Sequence, residues 1–108
     1  MDIKGGVEML NITRKGEGTK VEFALEGRLD TVTAPDLEKV LKESLSERTE
    51  ELILDFAGLE YISSAGLRVL LSAQKVMNRQ GRMTLRHVNE TIMEIFEVTG
   101  FSDILTIE

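Results

Sequence analysis

The side chains best suited to chemistry lie in one short segment, residues 55–67. Asp55 stands at its start, and two adjacent serines, Ser63 and Ser64, come directly before an Ala-Gly-Leu sequence that opens a helical pattern. A helix N-terminus presents free N–H groups and the positive end of the helix dipole, so an anion is stabilised there. A phosphate attached to a serine at this point would therefore be held locally and would not unfold the domain.

Nucleophilic catalysis at these serines is poorly supported. A nucleophile elbow needs glycine two residues before and two residues after the serine, whereas Ser64 has Ile62 before it and Gly66 after it. The single histidine, His87, is the one imidazole that could act as a base, and no spacing places it against Ser64. A Gly-Lys-Ser/Thr loop for nucleotide phosphates is absent from the sequence. We therefore expect no catalytic residue, and a small enzyme is the weaker alternative.

Plainer interpretations of the same residues stay open. Serine is a favoured N-cap residue, so Ser64 could do no more than cap the helix. Asp30 could equally organise the turn before the first helix. His87 fits a strand-end residue in a polar niche. Arg68 belongs to a polar helix stripe that is most simply solvated, although it lies one turn from Ser64.

Composition narrows the class of protein. The chain has 108 residues, of which 42% are hydrophobic and 30% charged, as expected for a globular domain. The absence of cysteine excludes disulfides, cysteine-ligated metals and thiol catalysis, and a single histidine excludes two-histidine metal sites. We therefore expect neither a metal nor a cofactor. With 13 Lys and Arg against 19 Asp and Glu, the net charge of −6 disfavours non-specific binding of nucleic acid.

Hydropathy addresses location and domain limits. No apolar run approaches the length that crosses a bilayer, and residues 1–6 lack the apolar core of a signal peptide. We therefore expect a cytoplasmic protein without membrane insertion. Residues 1–7 are expected to form a loose N-terminal tail, and residues 8–108 a single domain.

The elements that must position the serines follow from hydrophobic periodicity. Alternation around a Gly-rich turn, at 10–13 and 21–26, predicts an antiparallel hairpin. The apolar run 52–56 predicts a buried central strand followed by a loop from Gly58 to Ser63. Three helices are predicted: the first is capped by Thr33 and ends near Ser46, the second starts near Ser64 and ends near Gly81, and the third is capped by Asn89 and ends near Gly100. Two further strands are predicted at 83–86 and 104–107.

The predicted order is β-β-α-β-α-β-α-β. Its three β-α-β units require parallel pairing with right-handed crossovers, so the fold class is α/β, a mixed five-stranded sheet with helices packed against it. Functional groups gather at the carboxyl ends of parallel strands. That edge is expected to bring together the loops 28–33, 57–64 and 87–89.

Residues 55–67, Asp-Phe-Ala-Gly-Leu-Glu-Tyr-Ile-Ser-Ser-Ala-Gly-Leu, resemble the signature of STAS domains, specifically of bacterial anti-sigma factor antagonists. Ser64 matches the phosphorylated serine of that family, and the Ala-Gly-Leu that follows matches the rest of its pattern. Ser63 stands where many members carry aspartate. A second matching segment, 27–30, would bring Asp30 beside Ser64. The resemblance covers residues 8–108 and agrees with the predicted STAS-like element order.

The resemblance implies a partner switch. The dephosphorylated chain would bind an anti-sigma factor, a serine kinase with a histidine-kinase-like ATPase fold, and so release a sigma factor. The kinase would end this by phosphorylating Ser64, with Ser63 as the alternative acceptor, and a PP2C-type phosphatase would reset the switch. Alternatives are a STAS module of a stressosome or of a lipid-transport ABC system. The expected partner-contacting residues are Asp30, Thr31, Thr33, Leu59, Tyr61, Ser63, Ser64, Gly66 and Arg68.

Overall fold

The computed structural model describes residues 9–16 and 18–108. The predicted tail, residues 1–7, lies outside the described residues. The elements, in chain order, are β1 (Leu10–Lys15), β2 (Lys20–Leu29), α1 (Ala34–Ser44), β3 (Glu51–Ile62), α2 (Ser64–Gln80), β4 (Arg82–Arg86), α3 (Glu90–Thr99) and a 3₁₀ turn (Phe101–Asp103).

The sheet combines an antiparallel hairpin with a parallel half. β1 pairs antiparallel with β2, and Ile12 lies opposite Leu25. β3 is parallel to β2 on one side and to β4 on the other, so the strand order is β1-β2-β3-β4. The two parallel pairs are joined by α1 and α2, as right-handed crossovers require. The predicted mixed α/β class is therefore confirmed.

The predicted fifth strand is wrong, because the part of the chain that the structure describes contains a four-stranded sheet. Residues 104–107 make a single parallel bridge, between Leu85 and Ile107, instead of a ladder. The N–H groups of Ile104 and Leu105 donate back to the carbonyl of Phe101 at 2.9 and 2.8 Å, and this winds the chain into a turn. Apolar alternation therefore identified a segment that packs on the core without identifying its backbone hydrogen bonds.

The predicted loop from Gly58 to Ser63 is also wrong, since β3 continues to Ile62. Gly58 pairs with Glu26 and Ile62 pairs with Leu29, although the register shifts twice along this stretch. Such irregularities add local bend and twist to a strand without ending it. The segment that leads into α2 is consequently paired with β2 as far as Ile62, with interruptions at the two register shifts.

All three helices of the described ranges cover the same face of the sheet. Successive right-handed crossovers in one direction place their helices on one side, and a single core cluster joins the three helices to the strands. Phe56 of β3 meets Phe96 of α3 with ring centroids 6.4 Å apart. Ile53 is fully buried but lies outside that cluster, because strand alternation directs it to the opposite face. The helix members of the cluster are Ala34, Leu37, Leu41, Leu67, Val69, Leu70, Ala73, Met77, Ile92 and Phe96.

The ends of α3 match the sequence signals. Asn89 Oδ1 accepts a hydrogen bond from the N–H of Ile92 at 2.8 Å, the expected N-cap contact. Gly100 adopts the left-handed conformation, with φ of 85°, that ends many helices. None of the helices in residues 9–16 and 18–108 is long and apolar enough to cross a membrane.

Replacement of Leu54 by alanine should destabilise the fold strongly. Its side chain is fully buried in β3, so truncation leaves a cavity and should lower the free energy of unfolding by about 2–5 kcal/mol. Val98→Ala is the matched control, because Val98 is 87% exposed and its truncation should cost at most about 0.5 kcal/mol. Urea denaturation of both variants measures the difference. Equal losses would contradict a central position for β3.

Candidate functional site

The N-terminus of α2 carries an exposed serine and an unused cap. Ser63 is the N-cap residue and Ser64 is the first residue of the helix, which corrects the interpretation of Ser64 as the cap. The Ser63 side chain makes no capping bond, and its Oγ is buried without a hydrogen-bond partner among the described residues. Ser64 is exposed. The first N–H groups of the helix therefore remain open to an anion at this point.

Gly66 allows α2 to approach the strand ends closely. A Cβ on Gly66 would lie 2.7 Å from Leu29 Cγ and 2.8 Å from Ile62 Cγ1, closer than real contacts of this kind. The N–H of Ser63 also donates to the carbonyl of Leu29 at 2.9 Å. The close approach and this hydrogen bond together fix the height and direction at which Ser64 leaves the sheet edge.

Asp30 organises the loop between β2 and α1. Its Oδ1 accepts hydrogen bonds from the N–H groups of Val32 and Thr33 at 3.0 and 3.1 Å. The hydroxyl of Thr33 donates to the carbonyl of Arg28 at 2.7 Å and accepts from the N–H of Asp30 at 2.9 Å. Thr33 occupies the N-cap position of α1, but its buried side chain bonds to the loop and makes no capping bond to the helix, which corrects the predicted cap.

These contacts lower the pKa of Asp30. The hydrogen bond from the N–H of Thr33 is the largest cause, partial burial opposes it, and the N–H of Val32 and the hydroxyl of Thr33 reinforce it. The Arg28 guanidinium contributes as well, with Nε 3.8 Å from Asp30 Oδ2. Asp30 is thus ionised at neutral pH, and the hydrogen bonds made by its side chain go to its own loop.

Arg28 and Tyr61 lie side by side near the ends of β2 and β3. They are paired in register, and the Arg28 guanidinium carbon lies 4.4 Å from the centroid of the Tyr61 ring. This is a cation–π contact on a half-exposed surface. The sequence offered no signal for it, because the contact depends on the shifted register of the two strands.

The residues expected to contact a partner divide by exposure. Thr31, Ser64 and Arg68 are exposed, whereas Asp30, Tyr61 and Ser63 are partly exposed. Thr33, Leu59 and Gly66 are buried, and Leu59 belongs to the core cluster, so these three present no side chain to a partner.

A groove that sequence reasoning missed adjoins Ser64. It lies between the starts of α1 and α2, with a volume of about 430 Å³. Two crossovers that begin at one sheet edge are the signal that could have revealed it, since they bring both helix N-termini together. The residues that line the groove are Thr31, Ala34, Pro35, Glu38, Ala65, Arg68, Val69 and Ser72.

His87 pairs with Asp55 and has an unusual backbone conformation. Its φ of 58° is in the left-handed region, which bulky residues rarely adopt, and its Nδ1 lies 2.9 Å from Asp55 Oδ1. Partial burial raises the pKa of Asp55, but the bonds to the His87 ring and to the N–H of Ala57 outweigh it and the net pKa is lowered. The polar contact of His87 is therefore with a carboxylate.

This edge of the sheet presents polar side chains and the exposed residue Ser64. The residues that the structure describes contain no group of three or more His, Cys, Asp and Glu side chains that could hold a metal ion. An exposed hydroxyl on a rigid helix start, beside a groove, is suited to modification and to protein contact.

Comparison with known proteins finds relatives that share one family. The family model described as the STAS domain matches residues 11–108. The chain is 36% identical over 84 residues to BtrV of Bordetella bronchiseptica, which is named as an anti-sigma factor antagonist, and the match spans 77% of this chain and 72% of that protein. An anti-sigma-B factor antagonist of Staphylococcus epidermidis is 30% identical over 97 residues, 89% of this chain and 90% of that one. The crystal structure of an anti-sigma factor antagonist from Mycobacterium paratuberculosis has a TM-score of 0.81 at 17% identity, over 91% and 84% of the two chains.

Substitution of Gly66 by alanine should displace the start of α2. The added methyl group would overlap Leu29 and Ile62 from a backbone that cannot retreat freely, so we expect a loss of about 1–3 kcal/mol in the free energy of unfolding. Ser72→Ala, on the exposed side of the same helix, should stay within about 0.5 kcal/mol of the wild type. Thermal and urea unfolding measure both. A neutral Gly66→Ala would show that the helix is not seated by this contact.

Asp30→Asn should reveal a pH-dependent contribution to stability. Since the folded-state pKa is lower than the ordinary value of 3.8, ionised Asp30 stabilises the fold above that value, and this stabilisation is lost as pH falls through the lowered folded pKa. The variant should be less stable than the wild type at about pH 7, and the difference should shrink at about pH 3 and below. Urea denaturation at both pH values measures it. A difference that does not change with pH would rule out this role for the charge.

Proposed function

This chain belongs to the STAS domain family and, within it, to the anti-sigma factor antagonists, and we propose that it works as a phosphorylation-controlled protein-binding switch. The observation that carries the proposal is the exposure of Ser64 at the start of α2, where the side chain of the N-cap residue makes no capping bond. Ser64 matches the phosphorylated serine of the family pattern. The acceptor is Ser64 in preference to Ser63, because the Ser63 hydroxyl oxygen is buried.

The partner of the unphosphorylated chain is an anti-sigma factor that is itself a serine kinase with a histidine-kinase-like ATPase fold. Its binding frees a sigma factor, and the chain acts in the cytoplasm by contact and without catalysis of its own. The contact surface consists of Thr31, Ser64 and Arg68 together with the groove between α1 and α2. Exposure of these residues and the mixed polar and apolar lining of the groove suit a protein partner.

Phosphorylation ends binding by local electrostatics. A phosphoserine carries a charge of about −1.5 to −2 and must be desolvated wherever a partner fits closely around a neutral hydroxyl. A penalty on the order of 3 kcal/mol would lower the affinity roughly a hundredfold. The hydroxyl faces solvent, so a kinase and later a PP2C-type phosphatase can reach it without unfolding the domain.

Ser64→Ala should lock the chain in its binding form. The side chain of Ser64 makes no hydrogen bond within the described residues, so alanine should preserve the fold and cost less than about 1 kcal/mol. With the cognate anti-sigma kinase and ATP, wild-type chain should be phosphorylated and released, whereas Ser64→Ala should stay bound. Co-elution by size-exclusion chromatography, with mass spectrometry of the modified residue, measures both effects.

Two further variants complete this experiment. Ser64→Asp should weaken binding less than phosphate does, because a carboxylate carries a single charge and fewer acceptor oxygens. Ser63→Ala is the matched control and should leave phosphorylation largely intact. Phosphate on Ser63 with a silent Ser64→Ala would place the switch one residue earlier. Absence of phosphate on both serines would argue for a STAS interaction module of another complex.

A further inference from the structure

Arg68 is an exposed cation one helical turn from Ser64. It is exposed, and across residues 9–16 and 18–108 no hydrogen bond or ion pair engages its guanidinium. Residues four apart on a helix share one face, with Cβ atoms about 5–6 Å apart. Arg68 and Ala65 line the groove, so Arg68 belongs both to the helix face of Ser64 and to the groove beside it.

We propose that Arg68 captures the phosphate of phosphorylated Ser64 within the same chain. This inference rests on the proposed function, since it concerns the modified form of Ser64. An anion placed four residues before a cation is the favourable order on a helix. The planar guanidinium can also bind two phosphate oxygens at once, which a lysine ammonium cannot do in the same way.

The start of α2 is prepared for such an anion. Ser63 leaves its capping bond unmade, and the first turn contains no acidic residue that would repel phosphate. The open N–H groups of that turn can therefore share the phosphate with Arg68. These features belong to the same turn, so the phosphate meets attractive groups from both the backbone and the side chain.

The acidic neighbours of Arg68 are already engaged. Glu38 of α1 lines the same groove, but its carboxylate lies 3.9 Å from the ammonium of Lys42. Asp30, in the loop before α1, accepts hydrogen bonds from the N–H groups of Val32 and Thr33 at Oδ1, and its Oδ2 lies 3.8 Å from Arg28 Nε. Arg68 is therefore available in the unphosphorylated chain, both to a partner and to a phosphate that arrives on Ser64.

Capture changes the surface in two ways at once. The phosphate adds negative charge beside the groove, and it also removes Arg68 from the set of groups that a partner can contact. A carboxylate at position 64 is shorter and singly charged, so Ser64→Asp reproduces only part of the first effect. Arg68 is accordingly a positioning residue for the modified state.

The test uses a full-length chain with phosphoserine incorporated at position 64 during synthesis, so that no kinase is needed. The second pKa of phosphoserine is near 6 in water, and a paired cation lowers it. ³¹P NMR titration should give a second pKa that is higher in Arg68→Gln by roughly 0.3 unit or more than in the wild-type chain. Arg79→Gln is the matched control, since Arg79 is exposed near the other end of α2, and its titration should follow the wild type.

A second readout reports on the guanidinium directly. The ¹⁵N–¹H signal of Arg68 Nε should move between the unmodified and phosphorylated chains, while the Nε signal of Arg79 should not. Arg68→Lys should restore only part of the pKa difference. Equal phosphate pKa values in the wild type and Arg68→Gln, or an unmoved Arg68 signal, would overturn the capture. Either result would leave the proposed switch at Ser64 intact, because that switch is judged by partner release.

Discussion

The contact of Gly66 with Leu29 and Ile62 is the constraint on which the site depends. It brings the helix backbone down onto the ends of two strands, at a distance that leaves no room for a Cβ. This close packing sets the position of Ser64, the groove between α1 and α2, and the direction of the open N–H groups. A side chain at position 66 would push α2 away from Leu29 and Ile62 and would move these features together.

The two strands that contact Gly66, β2 and β3, are held by hydrogen bonds close to the site. β3 stays paired with β2 up to Ile62, through two changes of register, and the loop that follows β2 is tied by Asp30 and Thr33. The apparent loop before the serines is therefore a strand. Arg28 and Tyr61 meet only because of that pairing. Hydrogen-bonded backbone therefore lies next to Ser64 both in β3 and in the loop that follows β2.

Much of this architecture was predictable from local patterns. The hairpin, the central apolar strand, the helix starting near Ser64 and the cap at Asn89 depend on residues close in sequence, and the structure confirms them. The family resemblance, carried by a contiguous motif, was confirmed as well. The continuation of β3, the loss of the fifth strand and the burial of Leu59 depend on pairings with residues distant in sequence, which the local apolar pattern does not identify. Thr33 shows the same limit, because its hydroxyl bonds to the backbone of Asp30 and Arg28 in the preceding loop and does not cap α1.

The close packing of α2 at Gly66 has a consequence for the kind of switch that we propose. A switch that works by refolding needs two conformations of nearly equal free energy, and its ligands must supply the difference between them. Ser64 is exposed at the start of a helix that packs on the core, so a phosphate in the proposed switch would alter the surface without requiring a second fold. In the proposed switch, the signal would last as long as the phosphoester bond at Ser64, and its lifetime would be set by the kinase and the phosphatase that make and break that bond.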